Sequence, residues 1–82
     1  MTDYETLIAD SVYQKLNQSV KGYVSCRVSN DILYIEVKNL NMIYRHMVPD
    51  IADKILYGLD TDIMVDEICK TYRKFIIKKF FQ

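Results

Sequence analysis

Residues 23–38 read YVSCRVSNDILYIEVK, and the fold follows from how the two halves of this stretch face each other. In Tyr23–Ser29 the side chains of Val24, Cys26 and Val28 point one way, and those of Tyr23, Ser25 and Arg27 point the other. In Ile32–Lys38 the residues Leu33, Ile35 and Val37 share a face, opposite Ile32, Tyr34 and Glu36. A two-residue turn at Asn30-Asp31 pairs 28 with 33, 26 with 35 and 24 with 37, which places both apolar sets on one side. Asn and Asp are residue types that such a turn favours. Register and turn chemistry therefore predict the same hairpin.

Upstream, Thr2-Asp3-Tyr4-Glu5 has the Thr-x-x-Glu form of a capping box. Tyr4, Leu7, Ile8, Val12 and Leu16 then recur at three- and four-residue spacing, an amphipathic helix that fades at Gln18-Ser19 and ends before Gly22. Downstream, Asn39-Leu40-Asn41 forms a second turn and Met42–Met47 a third strand, with Met42, Tyr44 and His46 on the core face. Pro49 favours a helix start, Asp50 and Asp53 suit its positive end, and Ile51, Ile55 and Leu56 give a short helix that Gly58 stops. Asp60-Thr61-Asp62 opens the last helix, where Met64, Val65, Ile68, Cys69, Tyr72, Phe75, Ile76 and Phe80 fall in one apolar arc. The expected architecture is α+β, in the order α-β-β-β-α-α: a three-stranded antiparallel sheet with helices packed on one face.

The chain has 82 residues, enough for a single domain and no more, and half of them are hydrophobic, which argues against a disordered tail. Cys26 and Cys69 are too few for a disulfide scaffold, and their apolar neighbours suit reduced thiols and a cytoplasmic location. The acidic start of the chain lacks the basic region of a signal peptide, and the apolar runs are too short to span a membrane. The motifs for dinucleotide, phosphate-loop or zinc-protease chemistry do not occur, so no cofactor or metal is expected. His46 reads as a core-edge imidazole with one hydrogen bond, and a Cys–His nucleophile there would sit in an apolar, closed place that keeps a thiol inert. Asp66 and Glu67 read as a solvated helix face, with Asp66 reaching Lys70.

Eleven bases balance eleven acids, but unevenly. Residues 1–69 hold six bases and all eleven acids, and residues 70–82 hold five bases and no acid. Lys70, Arg73, Lys74 and Lys78 lie on the polar arc of the last helix with Ile77 and Phe81, a cationic face with apolar residues suited to contact. The same bases also answer the helix dipole. The second candidate surface is the outer face of the sheet: Tyr23, Arg27, Tyr34 and Glu36, with Arg27 opposite Tyr34. Tyr and Arg are enriched at binding hot spots, and an Arg–Tyr pair also stabilises a hairpin.

The α-β-β-β-α order resembles the double-stranded-RNA-binding domain in topology. At the position of that family's basic second-helix segment, this chain carries Pro49-Asp50-Ile51-Ala52-Asp53-Lys54, with two acids. As a short, Tyr-, Asn- and Lys-rich α+β chain, it also resembles the small accessory proteins of phages and mobile elements of Gram-positive bacteria, among them anti-CRISPR proteins with the α-β-β-β-α-α order. That resemblance implies a non-enzymatic inhibitor or regulator that binds a host protein such as a CRISPR nuclease. The partner-binding residues would be Tyr23, Arg27, Tyr34, Glu36, Lys70, Arg73, Lys74, Lys78 and Phe81, and the acidic part, residues 1–69, would meet a basic partner surface. The alternative is a nucleic-acid-binding domain that uses the same bases with Arg27 and Arg45. A homodimer through the wide apolar arc of the last helix fits either reading.

Overall fold

A computed structural model describes residues 4–39, 42–58 and 60–80. The elements are α1 (Tyr4–Ser19), β1 (Tyr23–Ser29), β2 (Ile32–Asn39), β3 (Met42–Val48), α2 (Ile51–Leu56) and α3 (Thr61–Phe80), in the predicted order. The strands form one antiparallel sheet in the order β1-β2-β3.

The hairpin has the register read from its sequence: Val24 opposes Val37, Cys26 opposes Ile35 and Val28 opposes Leu33. Asn30 and Asp31 both take positive φ, 52° and 63°, the backbone of a tight turn whose twist matches the strands. β3 extends the same face, with Tyr44 opposite Val37, His46 opposite Ile35 and Val48 opposite Leu33. Gly22 does more than stop α1. Its φ is +134°, and a Cβ there would come within 2.7 Å of the Lys38 carbonyl oxygen, so only glycine lets the chain enter β1 this close to β2.

The core joins this sheet face to the two long helices. Ile8, Val12 and Leu16 from α1 meet Leu33, Ile35 and Val37, with Met64, Val65, Ile68, Cys69 and Tyr72 from α3 closing the cluster. Tyr44 anchors the β3 side: its ring packs edge-on against Tyr72 with centroids 5.2 Å apart, and Phe75 lies 5.1 Å away. Ser11 and Lys15 of α1 hydrogen-bond the Thr61 hydroxyl at 3.1 and 2.6 Å, and Lys15 pairs with Asp62 at 2.7 Å. These contacts fix the start of α3 against α1.

Two expectations change, on the α1 stripe and on where α2 starts. Tyr4 and Leu7 are exposed, and Ala9 takes their place beside Ile8, Val12 and Leu16. Leu7 is turned about 100° from Ile8, off the side that meets the sheet. In α2 only Ile51 is buried, while Ile55 and Leu56 face outward, because six residues are too few to bring a second turn onto the core. α2 also begins at Ile51 rather than Pro49: Asp50 sits in the left-handed region, and its side chain caps nothing. Asp31 supplies the cap, its backbone carbonyl accepting from Ile51 N–H at 3.2 Å and its Oδ1 from Ala52 N–H at 2.9 Å. The expected capping residues Thr2 and Asp3 and the turn residues 40 and 41 lie outside the described residues, as does the Phe80 side chain. Among the described residues, no helix is long and apolar enough to cross a membrane.

Candidate interaction surface

Strand alternation turns every second side chain away from the helices. Three rows cross the sheet on that side: Tyr23–Lys38–Ile43, Ser25–Glu36–Arg45 and Arg27–Tyr34–Met47. The described helices pack on the other face, so this one is open. Tyr23 is 85 % exposed and Met47 61 %. Between the rows lies a shallow depression lined by Ser25, Arg27, Tyr34, Glu36, Arg45 and Met47.

The polar groups of this face hold one another in place. The Arg27 guanidinium sits 4.5 Å over the Tyr34 ring, a cation–π contact. Arg45 Nε donates to Glu36 Oε2 at 3.0 Å, and Lys38 Nζ lies 3.4 Å from Glu36 Oε1. The Arg45 hydrogen bond, with Lys38 beside it, holds the Glu36 carboxyl below its usual range. Arg27, Lys38 and Arg45 against Glu36 give three bases to one acid, so the face is cationic. A preorganised aromatic–arginine centre beside exposed apolar residues has the composition of a binding hot spot.

The structure brings Tyr23, Arg27, Tyr34 and Glu36 together, as expected. It does not join them to the terminal-helix residues. Lys70, Arg73, Lys74 and Lys78 are exposed on the outer side of α3, in the layer behind the sheet. None of the ion pairs among the described residues involves them, and the expected Asp66–Lys70 pair does not form. Phe81 lies outside the described residues. The apolar arc of α3 is buried from Met64 to Tyr72, so that arc is occupied by the core. Among the described acids of residues 1–69, Glu36 stands on the sheet face, and Asp50 and Asp53 line a groove between α2 and the start of α3.

The core-side groups are chemically quiet. Cys26 and His46 share the core face with Ile35 between them, about 10 Å apart by strand spacing. Burial pushes the Cys26 thiol up to about 11, so it stays protonated near neutral pH. His46 Nδ1 lies 3.0 Å from the Tyr44 hydroxyl. Burial holds its pKa below the usual value, opposed by Glu67. Among the described residues, no group of three His, Cys, Asp or Glu side chains is placed to hold a metal ion.

Lys38, Ile43, Arg45 and Met47 complete the open face and were not singled out there from sequence. The signal was present: once Tyr44 and His46 face the core, alternation sends 43, 45 and 47 outward. Comparison of the chain with protein-family models, curated proteins and solved structures returns no match.

Proposed function

We propose that this chain is a non-enzymatic binding module that docks on another protein through the open face of its sheet. The observation that carries the reading is the Arg27–Tyr34 stack with exposed Met47 beside it, on a sheet face that the described helices leave uncovered and that also exposes Tyr23 and Ile43 at its far end. An exposed apolar patch interleaved with arginine and tyrosine fits partner contact. The protonated Cys26 thiol and the Tyr44-bound His46, both turned to the core, support binding over turnover.

The partner we propose is a CRISPR nuclease or its guide complex, with the chain acting as a phage- or mobile-element-encoded inhibitor. Size and element order support that direction. A nuclease presents two kinds of charged surface: a basic groove for the phosphate backbone, and acidic clefts where carboxylates hold divalent metals. The three bases of the sheet face match the acidic kind. The test is binding to a panel of purified nuclease–guide complexes from Gram-positive bacteria. Stoichiometric binding that blocks target cleavage is the expected result, and no binding across the panel removes the inhibitor assignment.

The exposed bases of α3 favour a second reading, a nucleic-acid-binding domain. Single-stranded and duplex DNA and RNA, added in the same assay, separate the two. Under the second reading the chain binds nucleic acid alone, with an affinity that falls steeply with salt.

A further inference from the structure

A second surface lies at the other end of the molecule from the α3 bases. Leu56 and Tyr57 are 78 % and 85 % exposed, at the end of a helix whose one buried residue is Ile51. Beside them a groove between α2 and the start of α3 is lined by Asp50, Asp53, Lys54, Tyr57, Gly58 and Ile63. Exposed Leu7 lies one turn before Ser11 on the α1 flank that contacts Thr61, which extends the apolar area towards this corner. Asp50 and Asp53 line the groove with Lys54, and the Asp60 carboxylate adjoins it, accepting from Ile63 N–H at 2.9 Å.

The C-terminal turns of α3 carry the complementary chemistry. Burial along α3 ends at Tyr72, with Phe75 and Ile76 only partly covered. Ile77 is 57 % exposed, and Arg73, Lys74, Lys78 and Lys79 surround it. Residues 61 and 78 are separated by about 26 Å along the helix, in a body 42 Å long. The apolar–acidic groove and the apolar–basic helix end are therefore too far apart to meet within one molecule.

We propose that the chain associates with itself head to tail, the C-terminal turns of α3 in one copy docking in the α2–α3 groove of the next. Ile77 would lie against Leu56 and Tyr57, and the α3 bases against the corner acids. Because the two surfaces differ, the contact is heterologous and leaves a free head and a free tail at each end. The open sheet face lies off this axis and stays free, so the proposal is independent of the function proposed above.

Sedimentation velocity tests it. The head variant is Leu56→Asp with Tyr57→Asp, and the tail variant is Ile77→Asp with Lys74→Glu. All four positions are exposed, so both variants are expected to melt within a few degrees of wild type. Wild type should grow in mass as its concentration rises to about 200 μM at low salt, and shrink again in about 0.5 M salt, where screening shortens to a few ångströms. Each variant alone should remain a monomer, and an equimolar mixture should form a one-to-one dimer that grows no further. The charge-only tail variant Lys74→Glu with Lys78→Glu should behave as the first tail variant does. A wild type that stays monomeric at low salt, a variant that still self-associates, or a mixture that forms no dimer would overturn the proposal.

Discussion

Asp31 ties three elements together. It holds the second left-handed position of the hairpin turn, caps α2 through two oxygens, and accepts a hydrogen bond from the Tyr4 hydroxyl at 3.1 Å. A six-residue helix does not hold its shape without such outside support. Asp31→Ala should therefore destabilise the fold by about 1–2 kcal/mol, the usual cost of a lost cap, read as a lower urea midpoint. Asp31→Asn keeps an acceptor and tolerates positive φ, so it should recover at least half of that loss. An alanine variant as stable as wild type would show that the α2 cap adds nothing. The Asn-Asp pair announces a turn, but nothing local in the sequence announces the cap. That role depends on where β3 delivers the chain, twenty residues later.

At the level of elements, legibility tracked length. α3 runs for 20 residues, and its apolar arc repeats often enough for the period to identify Met64, Val65, Ile68, Cys69 and Tyr72 as core. The hairpin was legible because period, register and turn chemistry constrain one another. α2 was legible as an element from Pro49 and Gly58, but two turns cannot display a period that tells which of Ile51, Ile55 and Leu56 meets the core, and only Ile51 does. Leu7 misled for a related reason: three- and four-residue spacing admits a broader stripe than the one that meets the sheet. The two sides of α3 should respond differently to truncation. Ile68→Ala removes atoms from a side chain 1 % exposed, and should cost about 2–5 kcal/mol. Ile77→Ala, at an exposed site, should stay within about 0.5 kcal/mol of wild type. Thermal or urea unfolding of the two variants checks this, and equal losses would mean that the end of α3 is packed.

Across the whole molecule, a net charge of zero resolves into separate surfaces. The open sheet face is cationic around an aromatic centre, the α2–α3 corner is acidic and apolar, and the end of α3 is basic with Ile77 exposed. The linear charge count placed the basic cluster at the end of α3 but did not reveal that Asp50 and Asp53 share a groove with Ile63, which depends on how α2 and α3 meet. It also hid the sign of the sheet face, because Lys38 joins Arg27 there through the β1–β2 hairpin and Arg45 only when β3 pairs with β2. The central claim is that this face docks on a partner. Its most direct test is the dissociation constant for the nuclease–guide complex that binds wild type best, compared with Tyr34→Ala/Met47→Asp on the open face and Asn17→Ala on the exposed side of α1. Two such hot-spot positions together should weaken binding at least about 100-fold, while Asn17→Ala leaves it unchanged. Equal affinity for all three proteins would show that the sheet face is not the docking surface.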